Sequence, residues 1–184
     1  MREAIWSARN GCLKLEIFHD DCGEDPRQWD NLGMMVCWHR RYALGDKHDF
    51  KEPKDFLDSN ECKNASVILP LYLYDHSGIT MNTTGFSCPW DSGQVGWIYV
   101  TKEKVREEFK CKRISKKLQG LVKNALIVEV KEYDSYISGE VYGFVASKGE
   151  EEVDSCWGFF GSDWDKNGLK ETVPREFKSL VKEL

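Results

Sequence analysis

The chain of 184 residues lacks several features that mark particular classes of protein. It has no run of the roughly 18 apolar residues that cross a bilayer, and its N-terminus has no apolar stretch long enough for a signal peptide. Neither C-x-x-C nor H-x-x-x-H occurs, so the usual spacings of zinc ligands are absent. The seven cysteines are an odd number without a pattern, which favours reduced thiols over a disulfide framework. We therefore expect a cytoplasmic protein that does not enter membranes.

Length and composition predict one folded domain. A chain of this size fits a single domain over residues 1–184. Hydrophobic residues make up 41% of the chain and charged residues 31%, as is usual for a globular protein. Internal repeats and low-complexity segments are absent, so no linker is expected.

Hydrophobic periodicity predicts both strands and helices. Alternation predicts a strand over 13–18, and apolar runs predict strands over 34–38, 67–74 and 95–100. A short helix is predicted over 53–58, and Thr101 is expected to cap another over 102–109. Apolar residues at 114, 118, 121, 122 and 125, and again near 128, 133 and 136, predict a long helix over about 115–137. Gly139 is its expected end.

The C-terminal part of the chain completes this pattern. A hairpin is predicted from strands over 140–147 and 153–160, joined by a charged turn. A last helix is predicted to begin at Thr172, Val173 and Pro174, with apolar residues at 177, 180, 181 and 184 on one face. The order of elements predicts an α+β fold, with a mainly antiparallel sheet and the long and C-terminal helices packed on one side.

Charge is distributed unevenly along the chain. Segment 102–131 contains ten Lys and Arg against four Glu, a net charge of +6, so the rest must carry −11 to give the total of −5. A basic segment on an acidic body can contact phosphate through one face and a basic protein through another. The alternative is a solvated helix face. For the phosphate alternative, the predicted nucleic-acid-binding residues here are Lys112, Arg113, Lys116 and Lys117.

The segment between the strands over 67–74 and 95–100 gathers reactive side chains. Asp75, His76 and Ser77 follow the first strand directly, and Cys88 and Asp91 precede the second. Loops held by a rigid scaffold often carry function, so this central loop is the predicted site. Pro70 lies inside the first strand and cannot donate a ladder hydrogen bond, which predicts an edge position or a bulge there.

Three kinds of chemistry remain open for this loop. His76 and His39 could act as acid and base on a phosphodiester, with Arg40 and Arg41 stabilising the charge; the predicted catalytic set is His76, Asp75, Asp91 and His39. Asp75 and Asp91 could instead hold Mg²⁺. A hydrolase would use Ser77 or Cys88 as nucleophile, but no G-x-S-x-G elbow or cysteine-protease signature is present.

A structural alternative explains the same residues without chemistry. The polar side chains of the loop would cap turns, and Trp90 and Trp97 would close the core. Arg40 and Arg41 likewise have two interpretations: they either bind phosphate or pair with nearby acidic residues.

Three stretches resemble a known family: WDNLGMMVCWHRRYALGDKH (29–48), YDHSGITMNTTGFSCPWDSGQVGWIYV (74–100) and GEVYGFV (139–145). They are similar to small proteins encoded by phages and mobile elements of Gram-positive bacteria. Some similar proteins are associated with inhibition of type II-A CRISPR–Cas9 systems. The resemblance implies a counter-defence protein in the cytoplasm of a bacterial host, with a Cas9-type effector, its guide RNA, or both as partners. An RNA-cleaving nuclease and a non-enzymatic domain that binds a host protein are the alternatives.

Overall fold

The computed structural model describes residues 3–183 and divides into two compact units. One unit combines the chain up to Asp25 with the chain from Ser135 onward, and the other is Pro26–Asp134. Each contains a four-stranded antiparallel sheet, so the predicted α+β class is confirmed. That residues 1–184 act as one domain stays a prediction.

The first unit is built from two hairpins. Strands β1 (Trp6–Asn10) and β2 (Leu13–His19) form one, and β7 (Val141–Lys148) and β8 (Glu151–Phe160) form the other. The sheet order is β1-β2-β7-β8. The predicted charged hairpin is confirmed, with Gly149 at a φ of 66° in its turn. Alternation in β2 buries Leu15 and Ile17 against Phe144, as the pattern over 13–18 predicts.

The predicted C-terminal helix is replaced by three short segments. Helix α5 (Leu169–Thr172) ends at Val173, and 3₁₀ turns follow at Arg175–Phe177 and Leu180–Glu183. Val173 has an extended ψ of 132° because the residue before a proline is disfavoured in the helical region. The apolar pattern is nevertheless buried at Phe177, Leu180 and Val181, while Leu184 lies outside the described residues.

The second unit holds the central stretch. Its strands are β3 (Met34–Cys37), β4 (Ala65–Asp75), β5 (Ile79–Asn82) and β6 (Ser92–Thr101), in the order β3-β6-β4-β5. Its helices are α1 (Pro53–Asp58), α2 (Asn60–Lys63), α3 (Lys102–Glu108) and the long α4 (Lys116–Ile137), and a 3₁₀ turn covers Pro26–Gln28. Thr101 caps α3 as predicted, since its hydroxyl accepts a hydrogen bond from the Lys104 amide.

Strand β5 was not predicted, and it divides the central loop into two parts. It pairs with β4 only between Tyr72 and Asp75. Pro70 therefore has an unpaired edge on that side, and a register shift follows between Leu71 and Tyr72. Both agree with the predicted position of this proline.

Helix α4 packs on one face of this sheet. Its buried residues are Val122, Leu126, Val130 and Tyr133. A Cβ atom at Gly33 would lie 2.4 Å from Leu126 Cδ2, so glycine permits the close approach of helix and strand. The apolar positions from which the helix was predicted include Leu121 and Val128, and these two are not buried: each is 54% exposed.

Helix α1 packs on the opposite face of the same sheet, so helices do not lie on one side only. Phe56 of α1 is buried against Val36 and Tyr99. Tyr99 follows Ile98, which faces α4, and successive strand residues point to opposite faces. Among the described residues, no helix is both long and apolar enough to span a membrane.

A buried arginine ties three segments of the second unit together. The Arg27 guanidinium donates to both carboxylate oxygens of Asp46, at 3.0 and 2.6 Å, and to Glu129 at 3.2 Å. It also donates to the Gly33 carbonyl at 2.7 Å. Glu129 accepts further hydrogen bonds from the Leu32 and Gly33 amides, so the entry to β3 is fixed to α4. Buried charges are stable when they are paired and hydrogen-bonded in this way.

Candidate functional site

The turn after β4 separates the side chains of Asp75 and His76, two neighbouring residues of the predicted catalytic set. Asp75 ends β4, and Ser77 and Gly78 adopt φ angles of 56° and 152° on the way into β5. The His76 amide donates to the Gly78 carbonyl at 3.0 Å, which closes the turn. The side chains of Asp75 and His76 then contact different partners, Arg41 and Asp91, and do not pair with each other.

The Asp75 carboxylate belongs to a cluster with Arg41 and Tyr42. Arg41 Nη2 forms an ion pair with one carboxylate oxygen, and the Tyr42 hydroxyl donates to the other at 3.2 Å. Of the two interpretations of these arginines, pairing with an acidic residue therefore holds for Arg41. Arg40 is exposed and has no ion pair or hydrogen bond within residues 3–183. Its guanidinium is available to a partner molecule.

His39 is held against the same cluster by its ring. Its Nδ1 accepts hydrogen bonds from the amides of Arg41 and Tyr42, each at 3.3 Å, and the ring stacks on Tyr42 with centroids 5.0 Å apart. Partial burial, followed by the positive charges of Arg41 and Arg40, lowers the pKa of His39. The imidazole is therefore neutral near pH 7, with its proton on Nε2. It is linked to the central loop through Tyr42 and Asp75.

His76 contacts the other predicted acid, Asp91. His76 Nδ1 lies 3.5 Å from Asp91 Oδ2, and the imidazole is 63% exposed. The Cys88 thiol donates to the same carboxylate oxygen over 3.6 Å. Asp91 thus lies between the thiol and the imidazole. A cysteine nucleophile needs its base in direct contact with sulfur, so this arrangement does not activate Cys88.

One main-chain hydrogen bond joins the two groups. The Asp75 amide donates to the Asp91 carbonyl at 2.8 Å, which fixes the end of β4 beside the turn before β6. The structure therefore brings Asp75, His76 and Asp91 together, and connects His39 to them through Tyr42. Tyr42 was not among the site residues predicted from the sequence. The only sequence signal for it is its position three residues after His39.

Neither carboxylate is fully free to hold Mg²⁺, the alternative that the sequence left open. Asp75 is neutralised by Arg41, and Asp91 Oδ2 is already shared by His76 and Cys88. Mg²⁺ needs open carboxylate oxygens in octahedral geometry. No group of three or more His, Cys, Asp or Glu suited to a metal ion occurs in the part of the chain that the structure describes.

Trp90 is the residue whose environment differs most from expectation. The structural alternative from the sequence predicted that Trp90 and Trp97 both close the core. Trp97 does pack beside Phe56, with ring centroids 5.6 Å apart. Trp90, in contrast, is 91% exposed. The loop side chains are partly structural as proposed, since Asn82 Oδ1 accepts from the amides of Thr84 and Gly85.

The predicted nucleic-acid-binding residues of the basic segment lie together in sequence and at the surface. Lys112 and Arg113 are in the connection between α3 and α4, and Lys116 and Lys117 open α4. We call these four residues the basic cluster. All four are exposed, and none has an ion pair within residues 3–183. Two other cations of the same segment are paired: Lys104 with Asp30 at 3.5 Å and Arg106 with Glu103 at 3.8 Å.

The surface thus presents two regions of interest: the basic cluster, and the central loop with Arg40, His76 and Trp90. The first can bind phosphate through unpaired cations. The second has an exposed imidazole oriented by a carboxylate and an exposed indole. Comparisons of the chain with protein-family models, with curated proteins and with solved structures found no match.

Proposed function

We propose that this protein is a phage-type counter-defence protein that inhibits a Cas9-type effector by binding the effector and its guide RNA. The observation that carries the proposal is the basic cluster, four exposed cations without ion pairs within residues 3–183. A guide-RNA complex offers phosphates along an RNA scaffold, and unpaired Lys and Arg are the side chains that bind them. The family resemblance of 29–48, 74–100 and 139–145 supports the same setting.

Two neighbouring cations differ from those of the cluster in being paired within the chain. Lys104 and Arg106 are neutralised by acidic side chains of the same chain. The four residues of the basic cluster are not, so binding phosphate breaks no intramolecular ion pair. The acidic remainder of the chain, with a net charge of −11, complements the basic nucleic-acid channel of such an effector.

The test uses a purified type II-A Cas9 with its guide RNA and phage challenge of a CRISPR-active host. The wild-type protein is expected to bind the complex and to protect the phage. Replacing Lys112, Arg113, Lys116 and Lys117 by alanine is expected to weaken both. The matched control replaces four other exposed cations, Lys51, Lys54, Lys148 and Arg175, and is expected to retain both activities. A wild-type protein that neither binds the complex nor protects phage would end the proposal.

A second candidate is an RNA-cleaving enzyme, and the contact between His76 and Asp91 favours it. Histidine is the side chain that most often acts as general acid or base, and a carboxylate here orients an exposed imidazole. His39 uses Nδ1 to accept two main-chain hydrogen bonds, so only its Nε2 faces a substrate as the second catalytic group. Guide RNA should be cleaved by the wild type and not by His76→Ala, and without sensitivity to EDTA. Equal cleavage by both proteins would remove His76 from the reaction.

A further inference from the structure

Trp90 stands at the apex of a turn that the chain holds in place. The Ser92 hydroxyl donates to the Cys88 carbonyl, and the Cys88 thiol donates to Asp91, so the turn is closed on itself. The Asp91 carbonyl accepts from the Asp75 amide, which fixes the turn to β4. The indole is therefore presented to solvent from a tethered loop.

No other large apolar side chain in the described part of the chain is so open to water. The next most exposed, Leu121 and Val128, reach 54%, against 91% for Trp90. Tryptophan has a large apolar surface with one polar N–H, and a site that leaves it in water gains nothing in folding. Tryptophan is enriched at interfaces, where its ring is covered by apolar groups and its N–H finds a polar partner.

The charges around Trp90 favour a protein over a nucleic acid as its partner. Aromatic side chains that stack on unpaired bases lie in a positively charged groove. Here Asp91 follows Trp90 directly, and the charge of Arg41 is offset by Asp75. The turn that carries Trp90 is joined through the Asp75 amide to the residue that Arg41 and Tyr42 contact, and Trp, Tyr and Arg are the residue types enriched in protein-interface hot spots.

We propose that Trp90 anchors a protein–protein contact, in which the indole fills an apolar pocket of the partner. Arg40, exposed and without an ion pair in residues 3–183, pairs with an acidic group at the rim of that pocket. The inference rests on the proposed function for the partner's identity, which is the protein component of the Cas9-type effector. The protein then binds its target through two surfaces, the basic cluster on RNA and Trp90 on protein.

The experiment measures binding to purified type II-A Cas9 without guide RNA, by calorimetry or surface-based kinetics. Trp90→Ala is expected to weaken binding by about 30-fold or more, as loss of a hot-spot residue does. Trp90→Phe should lose less, and Arg40→Ala should mainly slow association and reduce its salt dependence. Trp29→Ala, which removes an exposed tryptophan elsewhere, should bind as the wild type does. The Trp90 and Arg40 variants should keep the wild-type melting temperature, because these side chains are exposed.

The outcomes separate the two proposals. If wild type binds the Cas9–guide complex and protects phage while Trp90→Ala binds guide-free Cas9 equally well, the Trp90 inference fails and the proposed function stands. If Trp90→Ala weakens binding only to guide RNA, base stacking replaces protein docking and the inference is overturned. If wild type binds neither form of Cas9, both proposals fail together.

Discussion

Replacing the four cations of the basic cluster should change the salt dependence of RNA binding by an amount that follows from their number. Each cation that neutralises a phosphate contributes about 0.7 to 0.9 to the slope of log K against log salt concentration. The four unpaired cations of the cluster should therefore account for about 3 in that slope. Extrapolated from 1 M to 0.15 M salt, a slope smaller by 3 corresponds to an affinity roughly 300-fold lower for the variant.

The assay is fluorescence anisotropy of labelled type II-A guide RNA over a series of salt concentrations. It compares wild type, the fourfold alanine variant of the basic cluster, and the control with alanine at Lys51, Lys54, Lys148 and Arg175. The two variants carry the same net charge, so a general effect of charge would lower both slopes equally. The reasoning is refuted if the cluster variant changes the slope by less than about 1, or if the control changes it as much.

Three further predictions concern the fold and the site. Arg27→Met should cost about 3–5 kcal/mol of unfolding free energy in urea denaturation, because Asp46 and Glu129, with side chains only 19% and 12% exposed, lose their cation. Arg106→Met at an exposed pair should cost at most about 1 kcal/mol. A cost for Arg27→Met no larger than that of this control would contradict the role of the ion pair. Gly96→Ala should destabilise the protein by about 1–3 kcal/mol in the same assay, because its Cβ would lie 1.9 Å from the Val36 carbonyl oxygen. Gly93→Ala on the same strand meets nothing within 4 Å and should be nearly neutral. Similar effects at both positions would refute the packing argument. The pKa of the His39 imidazole, measured by NMR titration, should lie below the ordinary histidine value of 6.5. Arg40→Gln should raise this pKa, because the change removes a nearby positive charge. A wild-type midpoint at or above 6.5 would show that neither burial nor the arginines act on this ring.

Strong local signals made much of the fold predictable. Continuous apolar runs located β3, β4 and β6, and Thr101 marked the start of α3. The stop at Gly139 has the backbone conformation that only glycine adopts readily, with a φ of 77°. These features depend on residues close in sequence, which is why the sequence carries them.

Other features depend on contacts distant in sequence and were not predictable. Strand β5 is four residues long and is defined by pairing with β4. The burial of Leu126 rather than Leu121 in α4 is decided by where Gly33 lets the helix approach the sheet. The division into two sheets follows from β2 pairing with β7, more than a hundred residues away.

The candidate site was predicted as a region, and its internal contacts were not. Asp75, His76 and Asp91 were expected to work together because they share one loop. The structure shows that adjacent Asp75 and His76 turn to different partners, since the φ angle at Ser77 reverses the chain. The exposure of Trp90 has no signal in the sequence, because tryptophan is typical of both cores and interfaces.

The central claim is tested most directly by the rate of target-DNA cleavage by a guide-loaded type II-A Cas9 in the presence of the purified protein. We predict that the wild-type protein slows cleavage in a concentration-dependent way. The basic-cluster variant and Trp90→Ala should each slow it less, and the control at Lys51, Lys54, Lys148 and Arg175 should act as the wild type does. Cleavage that proceeds unchanged at a large excess of folded wild-type protein would contradict the claim.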